Sequence, residues 1–174
     1  MNNSRELLIL RHAKSAWDTS AETDFDRPLN GRGKRDAPRI GGWLHDQGLA
    51  PDHVVASPAR RARQTARRVC KAVGFDPEVI DWQPRVYLAG VPTLLDVLAG
   101  CPEAVRRVLL VGHNPGLEDL LEFLGGAALE SPPGGKRLPT ATVARLELPD
   151  DWGRLGSGSG RLLAWVRPRD LAAD

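Results

Sequence analysis

Three short apolar runs punctuate the chain: Leu7–Leu10, Val54–Ala56 and Val108–Val111. None has helical periodicity, and each is bounded by polar or turn residues, which is the pattern of a strand buried on both faces. Helical patterning fills the gaps between them. In "SPARRARQTARRVCKAVG" (57–74), Ala62, Ala66, Val69 and Val73 form an apolar stripe and Gly74 can close the helix. Ser57 is the expected N-cap there and Pro58 the expected first helical residue. A second helix is expected over 33–47, with Pro38 restricting its beginning and Gly41–Gly42 weakening its middle. "PTLLDVLAG" (92–100) and "PGLEDLLEFLGG" (115–126) are each opened by proline and closed by glycine. Near the end, "TATVARLEL" and "RLLAWVRP" read as an antiparallel strand pair at one side of the sheet. "ESPPGGKRLP" (130–139) reads as a long flexible loop, either covering a site or merely connecting elements, with the connecting role favoured.

Strands alternating with helices predict an α/β protein: a three-layer α/β/α sandwich around a mostly parallel central sheet. At 174 residues, with no internal repeat and no shift of composition, a single domain over 1–174 is expected. A hydrophobic content of 41% against 26% charged residues fits an ordinary soluble globular chain. No stretch approaches the roughly 20 apolar residues that span a bilayer, and no signal-peptide pattern opens the chain. Cys70 and Cys101 have no metal-ligand spacing and read as small apolar fillers, so a cytoplasmic protein without membrane contact is expected. The segment Arg60 to Lys71 is locally basic, but a net charge of +2 and 5% aromatic residues argue against a nucleic-acid partner.

The apolar runs end in chemistry. The first is followed by Arg11-His12, the second by Ser57-Pro58 and the helix carrying Arg61, the third by Gly112-His113-Asn114. Ligands of open parallel sheets bind beyond the carboxyl ends of the strands. Parallel neighbours would therefore bring two histidines and two arginines into one cleft. Guanidinium forks match the oxygens of a phosphoryl group. A neutral imidazole can attack phosphorus, and a second one, when cationic, would stabilise the oxygens during transfer. His45 and His53 are expected to be structural, and Arg60, Arg63, Arg67 and Arg68 to form a solvated helix face. No metal or other cofactor is expected, because neither His12 nor His113 has a ligand-like neighbour at metal spacing.

These residues carry a resemblance to the histidine phosphatase superfamily, which has the phosphoglycerate mutase-like fold. "LRHAKSAWD" resembles its Arg-His-Gly signature in an Arg-His-Ala form. "DRPLNGRGKRDA" is similar to its Pro-Leu-Thr-x-x-Gly-x-x-Gln-Ala stretch, "SPARRARQT" to Ser-x-x-x-Arg-Ala-x-x-Thr, and "LLVGHNP" to the segment bearing the second histidine. The short length and the Arg-His-Ala-Lys form look most like the phosphohistidine phosphatase (SixA) branch. The resemblance implies that His12 is the phosphorylated nucleophile, that Arg11 and Arg61 bind the phosphoryl oxygens and that His113 completes the pocket. It places Ser15 and Asp18 as further residues lining the site, and Asn114 as a weaker candidate.

Many members carry a glutamate between the second and third motifs that protonates the leaving oxygen. Here that region reads "QPRVYLAGVPTLLD", with no carboxylate before Asp96. A phosphorylated imidazole departs more readily than an alkoxide, so this departure agrees with a phosphohistidine substrate carried on a protein. The alternatives are the same chemistry on a small phosphomonoester or nucleotide, and a silent phosphoprotein-binding module.

Overall fold

The computed structural model describes residues 3–130, 132 and 134–171. Ser131 and Pro133, within the expected connecting loop, lie outside the described residues. Six strands, β1 (Arg5–Arg11), β2 (His53–Ala56), β3 (Asp81–Trp82), β4 (Arg107–Gly112), β5 (Val143–Leu148) and β6 (Arg161–Val166), form one sheet in the order β3-β2-β4-β1-β5-β6. The three apolar runs become its adjacent strands β2, β4 and β1, all parallel. β5 and β6 extend the sheet antiparallel beyond β1, as their alternating patterns lead one to expect. The two-residue β3, absent from the sequence reading, pairs parallel with β2 at the other edge.

Alternation along the central strands feeds two cores. Leu7, Ile9, Val108 and Leu110 pack with Leu94 and Leu98 of α3 (Val91–Ala99) and Leu117 and Leu120 of α4 (Gly116–Gly125). Leu8, Leu10, Leu109 and Val111 meet Ile40 and Leu44 of α1 (Gly31–Asp46) and Ala66 and Val69 of α2 (Arg60–Val73). Each fully buried leucine or valine contributes about 1.5–3 kcal/mol from burial. That return on both faces is why these strands are continuously apolar. The three-layer α/β/α expectation holds.

Two helix starts differ from expectation. α1 begins at Gly31 because Asn30 caps it, its side-chain oxygen accepting from the Gly33 N–H at 2.9 Å. Gly41 in its middle is a packing device as well as a weak point: a Cβ there would stand 2.6 Å from the Val69 carbonyl oxygen of α2. α2 begins at Arg60, after an Ala59 with no side-chain cap, so Ser57 is not its N-cap nor Pro58 its first residue. The Ser57 N–H bonds the Val111 carbonyl at 3.0 Å, prolonging the β2–β4 ladder by one residue and keeping the chain extended. Gly74 closes α2 as expected, at φ 91° with its N–H on the Cys70 carbonyl.

Cys70 and Cys101 are free and buried, and burial pushes their thiols up to about 12 and about 11. Among the described residues no helix is long and apolar enough to cross a membrane. No group of three or more His, Cys, Asp or Glu among them is placed to hold a metal ion.

Candidate active site

The β1–β4 pairing continues one step past the strands. Arg11 lies opposite Gly112, and the His12 N–H bonds the Gly112 carbonyl at 3.1 Å. His12 and His113 therefore leave neighbouring strands at the same level, with ring centroids 5.2 Å apart and planes tilted by 51°. Arg61, in the first turn of α2, brings its Nε to 3.4 Å from His12 Nε2. Arg11, His12, Arg61 and His113 line one cavity of about 240 Å³. The expected convergence at the strand ends is present.

The segment around His12 is fixed from three sides. The Ala13 N–H donates to Thr65 Oγ1 at 3.0 Å, and that hydroxyl donates to the Arg61 carbonyl, tying the loop to α2. The Ala141 N–H reaches the carbonyls of both Arg11 and His12 at 3.1 Å. Gly33 lets α1 press on the loop: a Cβ there would stand 2.2 Å from the Lys14 carbonyl oxygen. That contact gives the glycine a physical purpose beyond its place in a motif.

His12 Nδ1 lies 2.8 Å from the Ala13 carbonyl. A carbonyl only accepts, so Nδ1 carries the proton, and the unprotonated Nε2, on the cavity side, accepts a long 3.4 Å bond from the Arg61 Nε–H. Burial, with added repulsion from His113, Arg61 and Arg11, pushes the His12 pKa down to about 3 against the opposing Ala13 hydrogen bond. His113 is pushed down to about 4, again chiefly by burial and then by Arg61. Both rings are neutral near pH 7 in the free protein, so the cationic form considered for His113 is not its resting state. Its Nε2 shares a 2.7 Å hydrogen bond with Ser57 Oγ, the hydroxyl that would otherwise be a helix cap.

Arg11 is held by a Leu138 carbonyl 3.2 Å from Nη1. The same carbonyl accepts from the Asn114 side chain at 2.8 Å, while the Leu138 N–H donates to Glu118 at 2.9 Å. The far end of the 130–139 loop thus supports the site as well as connecting elements.

Ser15 is buried, borders the cavity and accepts from Arg27 at 2.8 Å. Asp18 is not brought in: it is exposed and outside the cavity lining, because the chain turns away after Ala16, whose N–H is tied to the Pro28 carbonyl. His45 is exposed on α1, and His53 faces Asp81 at 3.5 Å, both away from the cavity lining. Arg60, Arg63 and Arg67 are exposed, as expected of a solvated face, and Arg68 is half-buried.

A carboxylate that the sequence did not single out, Asp24, grips the site's Arg61. Its carbonyl accepts from Arg61 Nη1 at 2.7 Å, and its carboxylate from Arg61 Nη2 at 2.9 Å and from the Tyr87 hydroxyl at 2.7 Å. These bonds, Tyr87 foremost, hold Asp24 well below the usual carboxylate range. Tyr87 in turn stands edge-on to His113 at 5.3 Å. It lies in the stretch "QPRVYLAGVPTLLD", which has no carboxylate before Asp96.

Residues 7–83 match the sequence profile of the histidine phosphatase superfamily (branch 1). An uncharacterized Mycobacterium tuberculosis protein is 33% identical over 164 residues, 92% of this chain and 100% of that one. Phosphohistidine phosphatase SixA of Escherichia coli K12 is 31% identical over 113 residues, 63% of this chain and 68% of that one. The chain belongs to the histidine phosphatase superfamily. Among solved structures of the superfamily, a SixA protein from Agrobacterium tumefaciens superposes with a TM-score of 0.74 at 34% identity, covering 94% of this chain and 99% of that one. The protein histidine phosphatase SixA complexed with tungstate superposes with a TM-score of 0.78 at 25% identity, covering 96% and 99%.

Proposed function

We propose that residues 1–174 form a single phosphatase domain that works through a covalent phosphohistidine on His12, and that its substrate is a phosphohistidine borne by a protein. The observation that carries the reading is the hydrogen bond from His12 Nδ1 to the Ala13 carbonyl, which leaves an unprotonated Nε2 beside Arg61. A buried imidazole of depressed pKa keeps that lone pair available throughout the neutral range.

In the first step the Nε2 lone pair attacks phosphorus, and the Nε2–P bond forms as the bond from phosphorus to the substrate nitrogen breaks. A phosphoimidazole protonated on its other nitrogen departs as neutral imidazole. In the second step water attacks phosphorus and the electrons of the Nε2–P bond return to His12. Its Nδ1 proton, held on the Ala13 carbonyl, makes His12 a neutral leaving group as well; the proton of the water goes to phosphate or solvent. Arg11 and Arg61 neutralise the oxygens, with His113 and Ser15 at the pocket wall. The tungstate bound by the SixA relative is a tetrahedral oxyanion of the kind this pocket would hold.

The source of the leaving-group proton separates substrates. Asp24 is kept ionised by Tyr87 and Arg61, so it accepts hydrogen bonds and has no proton to give at neutral pH. An alkoxide leaves poorly without an acid, whereas an imidazole does not need one. This supports the N–P substrate over a phosphomonoester.

Phosphate release from a histidine-phosphorylated carrier domain, run beside a panel of phosphomonoesters with His12→Ala as the blank, tests the reading. The expected result is preference for the carrier and an acid-labile, base-stable phosphoenzyme on the wild-type chain alone. Preference for esters would overturn the substrate and keep the mechanism. Anion binding without turnover of either class would overturn both.

A further inference from the structure

The mouth of the His12 cavity carries two side chains that the fold does not use for packing. Trp17 is 74% exposed and Leu88 61% exposed, and both border the cavity. Leu88 also lies at φ 54°, a left-handed backbone that leucine adopts only where its surroundings impose it. The constraint comes from both neighbours. Tyr87 is anchored on Asp24, and the Ala89 carbonyl lies so close to Gly116 that a Cβ there would stand 1.9 Å from the oxygen. The chain thus holds a strained residue in place and leaves its apolar side chain in water. Trp17, from the loop after β1, meets the Arg27 guanidinium 3.7 Å from its ring centroid and is otherwise open.

The charge within the cavity lining has one sign, the nearby Asp24 being taken up by Arg27, Arg61 and Tyr87. No Asp or Glu is among the residues lining the cavity, which include Lys14 and Arg27 beside Arg11 and Arg61. Thr140 belongs both to this cavity and to an adjoining groove of about 100 Å³ lined by Arg32, Arg167 and Arg169, again with no carboxylate in its wall. Asp24, Asp36 and Asp170 pair with Arg27, Arg32 and Arg167 respectively. Lys14 and Arg169 form no ion pair among the described residues.

Resting on the phosphohistidine reading above, we propose that this rim is the docking surface for the substrate protein. Trp17 and Leu88 take apolar side chains next to the phosphorylated histidine, and the Lys14–Arg169 track takes acidic ones. A small phosphate compound within a cavity of about 240 Å³ has no use for apolar side chains standing out at its edge or for cations in the next groove. A protein surface around the phosphoimidazole meets both, the apolar contacts by excluding water and the charges by steering encounter.

The test uses two phosphohistidine peptides of equal length, one with acidic and apolar flanks and one with glycine and serine flanks, together with phosphoramidate as the small N–P probe. Wild-type protein is compared with Trp17→Ala, Leu88→Gly and Arg169→Gln; glycine at 88 removes the side chain while suiting the backbone. The expected result is a kcat/KM at least about tenfold higher on the acidic-apolar peptide, about 1.4 kcal/mol. Each variant should lose most of that preference while its phosphoramidate turnover stays within about twofold. Equal turnover of both peptides by the wild type, or an equal loss on phosphoramidate in the variants, would overturn the docking surface and leave the phosphohistidine reading standing. A wild-type chain that cleaves phosphomonoesters but neither peptide nor phosphoramidate would overturn both.

Discussion

Asp24 grips Arg61 with two different oxygens, its backbone carbonyl 2.7 Å from Nη1 and its carboxylate 2.9 Å from Nη2. The guanidinium is thereby oriented before any phosphate arrives, with Nε turned to His12. The carboxylate also opposes an incoming dianion, so orientation and repulsion pull activity in opposite directions. Asp24→Ala removes the carboxylate's grip and its repulsion while the backbone carbonyl stays on Nη1, and should lower kcat/KM about tenfold, in the range of a lost charge-assisted hydrogen bond. Asp24→Asn keeps one acceptor, removes the charge, and should bind inorganic phosphate more tightly than wild type. Steady-state kinetics with phosphate inhibition checks the pair; weaker phosphate binding by the Asn variant would show that its charge is needed for alignment.

Ser57 was expected to cap a helix and instead partners the second histidine. Ser57→Ala leaves His113 Nε2 and the Ala59 N–H without the hydroxyl they share. The expected result is a stability loss of about 1–2 kcal/mol and a clear fall in kcat. Ser57→Thr, which restores the hydroxyl, should recover much of the rate. Urea melts beside single-turnover kinetics separate the two effects.

The buried histidines set the acid side of the stability profile. In the unfolded chain both titrate near pH 6.5. In the fold they stay neutral down to about 3 for His12 and about 4 for His113. Between those limits the unfolded state binds more protons, so their linkage term lowers stability as pH falls from about 7 toward 4, by at most about 1.4 kcal/mol per pH unit for each ring. The term levels off once the folded rings titrate too. Denaturation at a series of pH values should show a slope that shrinks in a His12→Asn, His113→Asn double variant; an unchanged slope would place the titrating groups elsewhere.

Gly33→Ala forces a methyl group against the Lys14 carbonyl oxygen, backbone on backbone, where no side chain can swing aside. A destabilisation of about 1–3 kcal/mol is expected. Because Lys14 follows the His12 loop directly, activity under conditions where the variant stays folded should fall as well. Gly42→Ala, on the same helix with nothing within 4 Å, is the control and should be neutral or mildly stabilising. A thermal melt and a rate for each variant decide it.

The parallel half of the sheet was legible because both of its faces are covered, which forces unbroken apolar runs such as Leu7–Leu10. The residues at their ends followed from topology. What escaped the sequence lies in turns. Asp24 and Tyr87 are 63 positions apart and sit in short segments with no periodicity, so only the folded chain shows that they meet. β3, at two residues, is too short to leave a pattern. Asp18 rests on the family resemblance alone, and the loop carries it out to solvent one residue past Trp17. The start of α2 was misplaced because Ser57 has two possible employments, and the histidine takes its hydroxyl.

The register of β1 on β4 has one last consequence. The pairing of Arg11 with Gly112 sets His12 level with His113, and the same pairing sends Leu7 and Ile9 to one core and Leu8 and Leu10 to the other. A slip of one residue would exchange the two apolar sets and carry one histidine out of reach of the other. The spacing of the two imidazoles is therefore a gauge of whether the hydrophobic layers have assembled in the right phase. A population of misregistered chains would report itself as a missing fraction of active sites, with the remaining sites at full strength.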